Sequence, residues 1–349
     1  MTRDHIRIAT SMVALGVALS MAAGHAAGGA PAEGAAETPA AETAPAGDAS
    51  TAPPAAGDAE TEWRGHIITA ERAFRGRDFA RAEAELTAAV KVAEAFGKED
   101  NRLALTLGRL VQVYVAQGKH AEAVGPAKRL LQVREAAVGP NHINVADALN
   151  NLASVYMESG QPDKAKPLLE RAVDICKGND RAAERLRSIV LDNLAELHRD
   201  QDRLDPAEAA ARKALALRKE QYGENSRWYA KSLETVGTIL LARGDAAEAE
   251  KALRECLSIR RMKMGWNRPV IIRSLVHLAD ACKAQKKNQA AENYYKQAIR
   301  MGEGGLGRND DARAEAYEGF ADLLRRTDRA DEAGEMAEQA KTIRAALEK

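Results

Sequence analysis

Three strings in this sequence have residue types and spacings that could do chemistry. Gly302-Glu303-Gly304-Gly305-Leu306-Gly307 fits G-x-G-x-x-G, whose glycines let backbone N–H groups approach a pyrophosphate. His198-Arg199-Asp200 echoes a phosphoryl-transfer loop, and Asp200, Asp202 and Asp205 are spaced loosely like calcium ligands. Each lacks its context. No strand precedes the glycine string, where a dinucleotide site needs strand, turn and helix. No Asn stands five residues after Asp200, and the calcium-like run has neither a central Gly nor a terminal Glu. The seven histidines form no H-x-x-x-H or H-E-x-x-H pattern and have no cysteines at zinc spacing, so no metal or cofactor is expected. Ser154 and Ser274 have no nucleophile elbow around them. The chain is not expected to be an enzyme, and an unrecognised hydrolase is kept only as an outlier. Cys256 and Cys282 fall on helices expected to be neighbours, so a disulfide is conceivable, but buried free thiols are the preferred reading, with Cys176 unpaired.

The elements that carry these residues repeat. Val145–Ile175 reads as two amphipathic helices, with Leu149, Leu152, Ala153 and Tyr156 on one face of the first. Ala165, Leu169, Ala172 and Val173 line the second; Gly160 ends the first helix and Pro162 opens the next. Stepping from Ala153, equivalent small positions are Ala70, Val111, Ala153, Ala195, Gly237, Ala279 and Ala321. They recur at an almost constant period of about 42 residues, which excludes most single-core folds. Leu107, Leu149, Leu191, Leu233, Leu275 and Tyr317 stand four positions before them. Ala82, Ala123, Ala165, Ala207, Ala249, Ala291 and Ala333 stand twelve after, where two helices must cross closely. A third column, further along each second helix, holds Val92, Val133, Ile175, Leu217, Ile259, Met301 and Ile343. Gly118, Gly160 and Gly244 close first helices; Gly139, Gly223, Gly265 and Gly307 follow second helices.

The pattern L-x2-L-A-x2-Y…A-x3-L resembles the tetratricopeptide repeat, whose usual period is about 34 residues. The longer period here, with Gly139-Pro140-Asn141-His142, Val145 and Leu149-Asn150-Asn151-Leu152-Ala153, is similar to the repeats of kinesin light chains and their bacterial relatives, including exported ones. The resemblance implies an all-α, right-handed superhelical solenoid of about seven antiparallel helix pairs. The expected units are 62–100, 101–142, 143–181, 182–226, 227–268, 269–310 and 311–349. It also implies a concave groove, lined by the first helices, that holds a peptide or protein partner. The positions that would face it are Arg109, Gln112, Asn150, Asn151, Ser154, Asn193, Glu196, Thr235, His277 and Asp280. Asn151 and Asn193 stand out, because family members use Asn there to pair with peptide backbone. A full set of carboxylate-clamp cations is absent.

Composition agrees. Hydrophobic residues make up 45% but aromatics only 4%, which suits closely approaching helices. Formal net charge is zero, with no basic stripe for nucleic acid. Arg3 and Arg7 precede an uncharged run, Ile8 to Ala23, and then Gly24-His25-Ala26, as in a secretory signal peptide over residues 1–26. Residues 27–61 carry six acids, no base and hardly a large apolar side chain, so a disordered linker is expected there, with the repeat domain over 62–349. The expected function is an exported scaffold, periplasmic or secreted, that binds a protein or peptide. A membrane would be involved only if the N-terminal segment stays uncleaved as an anchor. The alternative is a structural or self-associating, homo-oligomeric component of an envelope assembly.

Overall fold

A computed structural model describes residues 56–178, 180–263, 268–303 and 310–347. The expected signal segment, most of the linker, Gly265 and residues 304–307 of the glycine string lie outside the described residues. The described part is fourteen α-helices with no strand among them. In order they are α1 (Ala56–Arg75), α2 (Phe79–Glu94), α3 (Asn101–Ala116), α4 (His120–Val138), α5 (Ile143–Glu158), α6 (Pro162–Ile175) and α7 (Arg181–Asp200). Then come α8 (Leu204–Tyr222), α9 (Arg227–Arg243), α10 (Ala246–Lys263), α11 (Arg268–Ala284), α12 (Asn288–Gly302), α13 (Asp310–Arg326) and α14 (Ala330–Leu347). They pair into seven hairpins. The first helix starts at Ala56, ahead of residue 62, so the linker's last residues are helical.

Helix starts are set by short polar side chains. Asp78, Asp100, Asp180 and Ser226 each accept a hydrogen bond from a first-turn N–H of the helix they precede. The turn inside every hairpin has one geometry. The residue seven after the small position is left-handed in all seven units: Gly118, Gly160 and Gly244, but also Arg77, Asp202, Lys286 and Asp328 at φ 58 to 64°. The next residue's N–H reaches back five positions, as in Lys119 N→Tyr114 O (2.9 Å) and Gln161 N→Tyr156 O (2.8 Å). Four units thus force a side chain where glycine would sit freely.

The alanine column is essentially solvent-free, and Leu149 and Leu275 are fully buried. Burying each leucine contributes roughly 1.5–3 kcal/mol, conditional on the neighbouring hairpin that covers it. At Gly237 a Cβ would sit 2.6 Å from Leu253 Cγ, so even alanine is too large there. Neighbouring first helices touch one another from α5 through α7, α9 and α11 to α13, whereas successive second helices meet through long side chains, as in Arg129–Glu94 and Arg171–Glu135. The stack therefore curves toward its first helices, which form the inner face. Cys176, Cys256 and Cys282 are buried free thiols; burial pushes Cys256 up to about 12.

The joint between α6 and α7 departs from the joints on either side of it. α6 ends at Ile175, more than a turn short of the register at which α4 and α8 end, Val138 and Tyr222. α7 begins at Arg181, a full turn earlier in register than its counterparts α5 and α9.

Candidate functional site

The inner face is built from residues two before and one after the small position, where a helix turns toward its successor. Asn151, Ser154, Asn193 and Thr235 lie there, with Asn150 one residue further back, and all five are buried, at 2–8% exposure. The neighbouring repeat covers them. Asn193 Nδ2 donates to Asn150 Oδ1 (2.8 Å) and Ser154 Oγ (3.3 Å), so these three residues tie α5 to α7. Asn151 Nδ2 donates to Asp147 Oδ2 over a long 3.4 Å, and Thr235 Oγ1 donates to the Lys231 carbonyl of its own helix.

The remaining five keep partial exposure. Arg109 forms an ion pair with Glu71 of α1. Glu196 meets Lys231 Nζ of α9 at 3.2 Å. His277 Nδ1 lies 3.4 Å from Glu234 Oε1, and Asp280 sits 3.0 Å from Lys283 Nζ while accepting from the Tyr295 hydroxyl. Gln112 is half-buried. Lys283 also reaches Asp322 of α13 at 3.0 Å. Along much of the inner face, polar side chains therefore hold their neighbours in the next repeat.

Beneath this face lies a feature the columns above do not contain. Arg218, Arg260 and Arg344 each stand one position past the third apolar column, directly after Leu217, Ile259 and Ile343. Each meets an acid that stands three positions before the small residue of its own unit. The pairs are Arg218–Asp192, Arg260–Glu234 and Arg344–Glu318, all 26 residues apart across one hairpin. The first two are almost solvent-free and also donate to the next unit: Arg218 Nη1 to Ser232 Oγ (2.8 Å) and Arg260 Nη1 to Ser274 Oγ (2.6 Å). Burial pushes the Glu234 carboxyl up, but the two-pronged Arg260 guanidinium outweighs it and holds that carboxyl well below the usual range. The sequence carried a signal for these pairs: arginine and an acid recur in register. Columns chosen for apolar residues pass over it. Arg134 occupies the same arginine position in the second unit, where Gly108 stands in place of the acid, and it donates to Asn101 Oδ1 (2.6 Å) instead.

An open cleft of about 500 Å³ lies between the N-terminal halves of α5 and α7 and the end of α8, at the irregular joint. Elsewhere, His198 is buried, and Arg199 and Asp200 pair with each other at the end of α7. Among the described residues no three His, Cys, Asp or Glu side chains converge as a metal site would require.

Helical hairpins stacked in register, each incomplete without the next, define a solenoid of the protein-interaction type. The chain belongs to the tetratricopeptide repeat family: a sequence model of that repeat matches residues 127–178, 186–262 and 268–346, and a second matches 103–144. It is 40% identical over 67 residues to nephrocystin-3 of Xenopus laevis, which is 19% of this chain and 5% of that protein. This chain thus spans a small fraction of that relative. A kinesin light chain structure with nearly identical TPR-like repeats from Podosopora anserina shares 21% identity at a TM-score of 0.50, over 59% of this chain and 98% of that one. The apo form of the quorum sensor NprR from B. thuringiensis shares 14% identity at a TM-score of 0.65, over 81% and 77% of the two chains. These likenesses are of fold.

Proposed function

We propose that this protein is an exported, non-enzymatic scaffold that holds a protein or peptide partner on the inner face of its solenoid. The observation that carries the reading is the shared inner face of α5, α7, α9, α11 and α13, a continuous surface that no single hairpin could present. Its accessible groups are Lys231, Arg273, Asp280 and Asp322, mixed in sign and half-exposed, with Gln112 at the equivalent register of α3. A polar, low-relief face of this kind suits backbone pairing and charge matching better than burial of a large apolar surface. Export rests on the basic, apolar and small-residue order of residues 1–26.

The test is site-specific photo-crosslinking in the native host. A benzophenone side chain at Gln112, Lys231 or Asp322 is expected to trap a partner, whereas one at Lys213 or Lys251, on second helices, is not. Adducts only from the second-helix positions refute the assignment. Fractionation and N-terminal sequencing check export, with a mature start at Ala27 expected. Sedimentation across concentrations separates partner binding from the self-associating alternative, which requires a dimer or larger species.

A further inference from the structure

We propose that the cleft between α5 and α7 docks an extended peptide carrying one bulky aliphatic side chain between an acidic and a basic residue. The inference rests on the reading of the inner face as a protein-binding surface, and it names the place and the chemistry. The cleft lies at the irregular joint. α6 stops at Ile175 and α7 starts a turn early at Arg181, and that added turn contributes Arg181 and Ala182 to the wall. Ile143, Leu186, Ile189 and Tyr222 supply an apolar lining, and Tyr222 is 37% exposed despite its size. A volume of about 500 Å³ falls in the range of small-ligand pockets and takes one large side chain with its adjoining backbone.

The charges of the cleft are separated by wall. Arg181 and Arg185 stand one turn apart on α7, both exposed and, among the described residues, both without an ion pair or side-chain hydrogen bond. Like charges at this spacing repel on a helix, which an anion between them would relieve. On the α5 wall, among the described residues, Asp147 has no cation within ion-pair distance, and its partner is the long hydrogen bond from Asn151. Asp147 keeps exposed surface but is crowded by its neighbours, and that crowding pushes its carboxyl up against the pull of Arg134. Between the walls, Gln221 spends its Nε2 on Glu184 (3.3 Å), while its Oε1 is buried without a donor. A backbone N–H of an extended chain is the group that oxygen lacks. Ion pairs such as Arg109–Glu71, Glu196–Lys231 and Lys283–Asp322 occupy the inner face elsewhere. The cleft is where acceptors and donors are left open together.

Charge decides against the chain's own linker as occupant. Residues 27–61 offer acids for Arg181 and Arg185, but no base for Asp147 and no bulky aliphatic residue for Ile143 and Ile189.

The experiment pans a phage-displayed random dodecapeptide library against the full chain, then measures a synthetic copy of an enriched peptide by fluorescence anisotropy. Enriched peptides are expected to share a Leu, Ile or Met with an acid on one side and a base on the other. Their affinity is expected to fall at least tenfold in Arg181→Ser/Arg185→Ser and in Asp147→Asn, with unchanged circular dichroism. No enrichment, acid-only peptides, or displacement by a synthetic 27–61 peptide overturns the proposal. So does unchanged affinity in the arginine variant. If that same peptide is lost on Lys231→Ala or Asp322→Ala, the inner-face reading survives and the cleft assignment alone falls.

Discussion

Replacing Arg260 by Met should be among the most damaging single changes in the second half of the solenoid. The guanidinium is 4% exposed and makes a two-pronged contact with Glu234, Nη1–Oε1 at 2.5 Å and Nη2–Oε2 at 2.8 Å, plus 2.6 Å to Ser274 Oγ. Methionine fills the space but leaves the Glu234 carboxylate, 7% exposed, with the Lys231 ammonium at 3.8 Å and the His277 ring at 3.4 Å as its remaining polar neighbours. Stripping one partner from a buried pair costs about 3–5 kcal/mol, and the nearby Lys231 ammonium places the loss at the lower end of that range. With ~0.6 kcal/mol per degree for a domain of this size, Tm should fall by about 5 °C. Arg260→Met combined with Glu234→Leu should regain most of the loss, because the stranded charge is gone. Urea unfolding of all four species gives a coupling energy, expected at about 2 kcal/mol or more. Acid supplies an independent readout. The folded carboxyl lies below its unfolded value, so its contribution is present above roughly pH 4.5 and is lost as pH falls through the folded value. Without Arg260 that carboxyl rises, and the variant's deficit should shrink on acidification. A single variant that loses less than about 0.5 kcal/mol, the range of an inert surface change, would refute the reasoning. So would a deficit that grows in acid.

Gly237→Ala should destabilise by roughly 0.5–2 kcal/mol in urea, since a Cβ 2.6 Å from the fully buried Leu253 outweighs the gain in helix propensity. Gly125→Ala, with nothing within 4 Å, should instead stabilise by about 0.5–1 kcal/mol. Lys286→Gly should raise Tm, because it relieves a left-handed side chain at φ 59° worth about 1 kcal/mol; Gly160→Val should do the reverse. Burial raises the Glu158 carboxyl to about 7, and His120 Nδ1 lies 3.0 Å away. The folded state therefore binds this proton more tightly, and stability should decline as pH rises from about 4.5 through 7. Glu158→Gln should flatten that decline in thermal melts across pH 5–8.

The repeat was legible because periodicity reports a helix's own face. Small residues at Ala153 and its equivalents, the leucines four before and the alanines twelve after mark the buried stripe of every hairpin. The turns were half legible. Gly118, Gly160 and Gly244 announce a left-handed residue, but Arg77, Asp202, Lys286 and Asp328 adopt it too, since the five-residue back-bond outweighs their local preference. The inner-face positions were found in register, but their burial was not, because cover comes from the adjacent repeat. Asn193 looked like a free amide and is spent on Asn150 and Ser154.

The sequence by itself determined the period, the hairpin turns and which stripe of each helix must be covered, because these follow from spacing along one chain. Only the tertiary structure decided which polar groups neutralise one another and which stay open. Arg260 finds Glu234 because antiparallel helices bring residues 26 apart into contact. Arg181 and Arg185 line the cleft on α7 and meet no counterpart among the described residues. Both outcomes depend on the offset between helices, which no single helix's periodicity encodes.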